Sequence, residues 1–240
     1  MLSLCASLAG ADAPKPPAKE FIPTASYKQQ TLEGFTVLVS PQLIEHEQIA
    51  RDSLALLEKK LAEIKTLLSP EQLKPLQETK FWIEWEQLKN GGACAHHSID
   101  WLKSNGYNPE KVHSIEISNA RNFLSWSKEQ PMMILHELAH IYHHNVLKPD
   151  NRDIKDAYKH AVKSGIYDSV EYVLGGKKKA YALNNDLEYF SEITEAYFGR
   201  NDFQPFTHDE LKEFDPVGFA LLEKIWGPRE VKPPEAQKAR

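Results

Sequence analysis

The chain is predicted to fold as an α+β domain in which a small mixed sheet packs against helices. Three observations support this class. Short segments alternate apolar and polar residues as strands do, one long segment repeats apolar residues every three or four positions, and a third segment is apolar almost all round. At 240 residues without internal repeats, the chain is long enough for one substantial hydrophobic core.

Residues 1–30 are predicted to be the remnant of a secretory signal followed by a disordered lead. The start is mildly apolar, Ala11-Asp12-Ala13 has the small-x-small form of a signal-peptidase site, and several prolines follow. This start favours a secreted or periplasmic protein; the alternative is a disordered tail alone. One folded domain is expected over residues 31–227 and a disordered tail over 228–240. Loss of Cys5 with the signal would leave Cys94 single, which does not support a disulfide framework.

The elements of the domain follow from local patterns. Residues 35–39 are predicted to form a strand, and apolar spacing over residues 50–68 predicts an amphipathic helix that ends at Ser69-Pro70. Alternation predicts strands over 81–86 and 113–117, joined through a loop at 90–98. Three further helices are expected. One covers residues 153–162, a second begins after a capping box formed by Thr207 and Glu210, and the last covers 216–226 and ends at Gly227.

Charge and hydropathy exclude some partners. The formal net charge of −5, with no dominant basic face, argues against nucleic acid as the main partner. The basic cluster of residues 177–179 is interpreted as a solvated loop, with contact to an acidic substrate as the alternative. No run of 18 apolar residues occurs, so no membrane span is predicted.

The most informative segment is the H-E-x-x-H pattern of His136, Glu137 and His140, inside an apolar helix predicted to begin near Pro131. Residues four apart lie on one face of a helix, so both histidines can bind one metal ion. Glu137 is rotated by about 100° from His136, where it can accept a proton from metal-bound water. Buried polar side chains need partners, which a metal ion supplies. The alternative is a histidine pair on an ordinary soluble helix.

A catalytic zinc ion needs a third protein ligand and one open position. Val146 stands where a metzincin has its third histidine, which excludes that class, and His143 and His144 are expected at the solvent-exposed end of the helix. Cys94, His96 and His97 have no matching half elsewhere in the sequence for a second metal site.

The better candidate for the third ligand is Glu188, which shares a predicted helix face with Glu192 and Glu195. Glu192 is then expected to accept a hydrogen bond from a ligand histidine and to fix its tautomer. Two alternatives remain open. Glu188 could complete a capping box with Asn185, and the row of glutamates could be a solvated face.

Residues 131–200 resemble the catalytic domain of the anthrax-toxin lethal-factor-like metallopeptidases, a gluzincin-type group that includes the Pro-Pro endopeptidases. In that group the H-E-x-x-H helix is followed by a tyrosine and, seven residues later, by a glutamate that opens an E-[FY]-F-x-E run. This chain has Tyr181 and then the run of residues 188–192. The resemblance implies a zincin-like fold and one Zn²⁺ ion bound by His136, His140 and Glu188. It also implies Glu137 as general base and Tyr181 as a hydrogen-bond donor to the transition state.

The sequence therefore predicts a monomeric zinc-dependent endopeptidase. An extended peptide substrate is expected to add to an edge strand that begins at Ser114 and ends at Ser118. Two alternatives belong to other classes: a catalytically silent zinc-binding module, and a metal-free interaction module that uses the acidic helix for docking.

Overall fold

The structure is a computed structural model that describes residues 21–229, so the predicted signal remnant and nearly all of the predicted tail lie outside it. The described part has seven strands and ten α-helices. The strands are β1 (Lys28–Leu32), β2 (Phe35–Val39), β3 (Phe81–Ile83), β4 (Ala93–His96), β5 (Ser114–Ile117), β6 (Val170–Glu171) and β7 (Lys177–Lys178). The helices are α1 (Pro41–Glu45), α2 (Glu47–Leu67), α3 (Pro70–Leu76), α4 (Ile99–Ser104), α5 (Ala120–Trp126), α6 (Met133–Tyr142), α7 (Arg152–Ser164), α8 (Asp186–Phe198), α9 (His208–Phe214) and α10 (Pro216–Trp226).

The predicted small mixed sheet and the α+β class are confirmed. Five strands pair in the order β1-β2-β3-β5-β4, and β6 and β7 form a separate hairpin. Strands β2, β3 and β5 run parallel, while β1 and β4 are antiparallel to their neighbours. Glu33 and Gly34 join β1 to β2 with φ values of 50° and 90°, as a two-residue hairpin turn with left-handed backbone requires.

One face of the sheet packs on the helices. Phe81 and Ile83 of β3, with Ile115 and Ile117 of β5, are fully buried in the main core together with α2, α6 and α8. The alternating residue Trp82 points to the opposite face, where it packs with Tyr27 and Leu38. The period of two in the strands therefore puts Phe81, Ile83, Ile115 and Ile117 on the helix side and Trp82 on the other.

The opposite face of the sheet carries a buried network of charged side chains. Lys111 is 1% exposed, and its Nζ donates to Glu84 Oε1 at 2.7 Å and lies 2.9 Å from Glu116 Oε1. His96 Nε2 lies 2.6 Å from the other carboxylate oxygen of Glu116. Burial alone raises the pKa of Glu116, but His96 and Lys111 outweigh it and lower this pKa below its usual value.

The prediction that the strand from Ser114 to Ser118 lies at the edge of the sheet is wrong. β5 is flanked by β3 on one side and by β4 on the other, so β4 rather than β5 is the edge strand at this side of the sheet. The predicted loop at 90–98 contains β4, which pairs residue by residue with β5 from Ala93↔Ile117 to His96↔Ser114. Small residues after Gly91-Gly92 carry no β-branched signal, so this strand exists because β5 offers it a hydrogen-bonding partner.

Other predicted boundaries also shift. β1 begins at Lys28, inside the segment predicted as a disordered lead, and β3 ends at Ile83 rather than at residue 86. Thr207 makes no capping hydrogen bond; instead, Glu210 Oε2 accepts from the backbone N–H of Phe206 at 2.8 Å. The strand at 35–39 and the helices predicted over 50–68, 153–162 and 216–226 are confirmed as β2, α2, α7 and α10. Within residues 21–229, no helix is both long and apolar enough to cross a membrane.

Candidate metal centre

The H-E-x-x-H segment lies on α6, a helix whose ten residues are all buried. It packs between α8 on one side and β4 on the other. α8 begins after Asn185, whose side-chain oxygen accepts a hydrogen bond from the backbone N–H of Glu188 at 2.8 Å. This cap places Glu188 in the first turn of α8, opposite the two histidines.

The structure brings His136, His140 and Glu188 together. The Nε2 atoms of the two histidines are 3.0 Å apart, and Oε2 of Glu188 lies 3.0 Å from His136 Nε2 and 3.1 Å from His140 Nε2. The histidines are almost completely buried, while the glutamate side chain is 18% exposed. Three atoms that could bind a metal ion therefore converge on one point beside solvent. They come from two helices, and Glu188 is 48 residues from His140 in sequence.

The donor set fits a zinc ion. In a tetrahedral site with bonds of about 2.0–2.2 Å, ligand atoms lie roughly 3.3 Å apart, which is near the separations found here. The electrostatics agree with this fit. Burial alone lowers the pKa of His136, but Glu188 and Glu195 raise it well above its usual value, so the centre attracts positive charge. Two neutral imidazoles and one carboxylate are a common ligand set of catalytic zinc.

Glu137 lies beside this centre and does not join the three converging atoms. Its Oε2 accepts a hydrogen bond from the backbone N–H of Ala95 on β4 at 2.8 Å, which leaves the other oxygen without that constraint. Burial raises the pKa of Glu137, although His136 and His140 act in the opposite direction. A carboxylate with a raised pKa is a better proton acceptor than a solvated one.

Tyr181 opens the short 3₁₀ turn Tyr181–Leu183 that precedes α8. Its hydroxyl lies 3.3 Å from Oε1 of Glu188, the carboxylate oxygen that does not face the histidines. Burial and the negative charge of Glu188 raise the pKa of this tyrosine further above its usual value. The side chain therefore stays protonated at neutral pH and remains a hydrogen-bond donor at the rim of the centre.

The prediction that Glu192 accepts a hydrogen bond from a ligand histidine is wrong, because Glu195 takes this place. Glu195 Oε1 lies 2.7 Å from His136 Nδ1, whereas the nearest oxygen of Glu192 is 3.8 Å away. Glu192 instead accepts a hydrogen bond from Asn201 at 3.2 Å. Both glutamates are at most 2% exposed, so the alternative of a solvated glutamate face is also wrong.

The end of the H-E-x-x-H helix differs from expectation. The α-helix ends at Tyr142 and continues as a π-helical turn, His143–Leu147. His143 is completely buried, contrary to its predicted place at the exposed end, while His144 is partly buried and Val146 is 37% exposed. The wider turn rotates the side chains that follow Tyr142, which the period of a regular helix does not anticipate.

Two contributors to the site and one neighbour of His140 were missed from the sequence. The backbone N–H of Ala95 carries no sequence signal, because a backbone donor is available at nearly every residue. Glu195 was placed on the correct helix face, but helix spacing alone could not separate it from Glu192. His97 packs edge-to-face on His140 with ring centroids 6.3 Å apart, a contact that depends on β4 lying against α6.

Comparisons with protein-family models, with curated proteins and with solved structures find no match for this chain. The resemblance to lethal-factor-like metallopeptidases stays a prediction carried by the motif residues, and the geometry of the centre stands without it.

Proposed function

We propose that this protein is a zinc-dependent endopeptidase. One observation carries the proposal: the Glu137 carboxylate and the Tyr181 hydroxyl lie beside the point where His136, His140 and Glu188 converge. A site that only holds metal for stability needs neither group. A Zn²⁺ ion bound by the three ligands would supply Lewis acidity and lower the pKa of a coordinated water molecule.

The chain's own residues would then perform the proton transfers. Glu137 accepts a proton from the attacking water and delivers it to the departing amine, since a single carboxylate beside the scissile bond can serve both steps. The hydroxyl of Tyr181 donates a hydrogen bond to the oxygen on which negative charge develops. The bond from Ala95 N–H holds the Glu137 carboxylate in place between these two events.

The substrate is proposed to bind as an extended peptide along β4, rather than along the strand from Ser114 to Ser118. The N–H of Ala95 bonds to Glu137 and therefore faces away from β5, whereas His96 O accepts from His113 N on the β5 side. Backbone groups of β4 thus alternate between β5 and the cleft. A peptide added to this edge would pass directly over Glu137.

The test combines metal analysis with substrate discovery. Purified protein is expected to contain one zinc ion per chain and to cleave members of a proteome-derived peptide mixture, with cleavage sites read by mass spectrometry. Glu137→Gln serves as the matched control, because it keeps the three ligands and removes the base. Zinc binding without cleavage by wild-type protein would support the catalytically silent module, and absence of bound zinc would refute the metal centre itself.

A further inference from the structure

Three histidines that the proposed reaction does not use form a series of ring contacts that leads from His140 to the surface. His97 packs on His140 at 6.3 Å, His97 stacks on His144 at 4.7 Å with the rings inclined by only 21°, and His144 contacts His113 at 5.4 Å. Their exposure rises in the same order, from the buried His140 through the partly buried His97 and His144 to the exposed His113. We call His97, His144 and His113 the histidine path.

The outer end of the path opens into a surface cavity of about 630 Å³. His113, His144 and the exposed Glu78 line this cavity, so its mouth offers imidazole and carboxylate ligands. The backbone is irregular at the same place. His113 and Lys148, both on the wall, have positive φ values of 55° and 75°, and His144 lies in the π-helical turn. Such departures persist where surrounding structure holds side chains in particular positions.

His97 differs from the other histidines of the path in the hydrogen bonding of its ring nitrogens. Both of its nitrogens are buried and neither has a hydrogen-bond partner among the described residues. Nδ1 of the ligand His140 is likewise buried without one. A histidine retained only for packing normally satisfies at least one ring nitrogen, because an unmet buried donor or acceptor is unfavourable. Imidazole nitrogens left without protein partners are free to bind a metal ion.

We propose that the histidine path is an accessory metal site that conducts Zn²⁺ from the surface cavity to the centre formed by His136, His140 and Glu188. This inference rests on the metal centre of the proposed function and adds the way in which that centre is loaded. In the described residues, no group of three closely spaced ligand atoms includes a path histidine. Sites of one or two imidazoles bind zinc weakly and release it readily, which suits transfer rather than storage.

The test measures loading kinetics apart from affinity and activity. Zinc is removed from the protein by chelation, and apo-protein is mixed with Zn²⁺ buffered by a weak chromophoric chelator in a stopped-flow instrument. Wild type is compared with His97→Gln, His144→Gln and His113→Gln. His160→Gln, a change at an exposed histidine on α7, is the matched control. Circular dichroism confirms folding of each variant, and His144→Gln, at a partly exposed position, tests the path should His97→Gln fail to fold.

Loading is expected to slow by about tenfold in His97→Gln and His144→Gln and less in His113→Gln, with no change in His160→Gln. Because the path lies between the surface and the centre, release to excess chelator should slow by the same factor and the zinc dissociation constant should stay within about twofold. As a second readout, Co²⁺ added to protein whose centre is filled with Zn²⁺ should broaden the imidazole NMR signals of His97 and His144.

Three outcomes would overturn the path. Unchanged loading rates in all variants would show that zinc arrives by another way while the metal centre stands. Faster release with unchanged loading would show that these histidines support the bound state instead. Absence of zinc binding by the wild-type protein would refute both the metal centre and the path. The first two outcomes refute only the path, so failure of the proposed function can be distinguished from failure of this inference.

Discussion

Replacement of Glu195 is expected to weaken zinc binding far more than replacement of Glu192, although both are buried one turn apart on α8. Glu195 contacts Nδ1 of the proposed ligand His136 at 2.7 Å, which is a strong hydrogen-bond distance. This contact keeps the proton on Nδ1 and turns Nε2, the proposed metal-binding atom, toward His140 and Glu188. At 3.8 Å, Glu192 is beyond hydrogen-bond range of this nitrogen, and burial together with the charges of Asp202 and Glu195 raises its pKa well above the usual value.

The size of the effect follows from this geometry. Loss of a carboxylate partner of a ligand histidine typically lowers metal affinity about 10- to 100-fold. That range corresponds to about 1.4–2.7 kcal/mol. Glu195→Ala removes both the charge and the acceptor and should reach the upper end, while Glu195→Gln keeps an acceptor and should stay near the lower end. Glu192→Gln should change affinity by about threefold or less, because Glu192 makes no hydrogen bond to the ring of His136.

The assay is competition between the protein and a chromophoric chelator at neutral pH, with circular dichroism to show that each variant is folded. Asn201, which holds Glu192, offers a further control, since Asn201→Ala frees Glu192 without touching His136. Equal losses of affinity in Glu192→Gln and Glu195→Gln, or a larger loss in Glu192→Gln, would refute the assignment of Glu195 as the positioning residue.

The remaining predictions concern the proposed chemistry and the buried charges. Glu137→Gln should keep full zinc occupancy and lose turnover by about a hundredfold or more, since only the base is removed; loss of zinc in this variant would contradict its role. Tyr181→Phe should lower kcat by about 10²–10³-fold with little change in KM, because the tyrosine hydroxyl donates to charge that develops in the transition state. Steady-state kinetics on one peptide separate the two constants. His96 and Lys111 lower the pKa of Glu116 in the folded protein below its usual value of 4.5. The ionised Glu116 side chain therefore stabilises the fold fully above pH 4.5, and this stabilisation is lost as pH falls through the pKa of the folded state. Urea unfolding between about pH 6 and pH 3 should therefore show a weaker pH dependence in Glu116→Gln than in wild type, and identical slopes would argue against this linkage.

Elements with strong local signals could be predicted closely. The spacing of apolar residues located α2, and the apolar run 35–39 located β2, because each pattern is set by the period of its own element. β4 could not be predicted, since its residues Ala93 to His96 become a strand only through pairing with β5. The edge of the sheet was therefore assigned to the wrong strand, as an edge is a property of strand order rather than of any one strand.

The amino-acid sequence by itself determined that His136 and His140 share a helix face with Glu137 beside them, because helix geometry ties that arrangement to their spacing. Tertiary structure alone decided that Glu188 meets them at 3.0–3.1 Å, that Glu195 rather than Glu192 orients His136, and that His97 lies against His140. Contacts within one helix depend on a fixed local period, whereas contacts between α6, α8 and β4 depend on how these elements pack across the core.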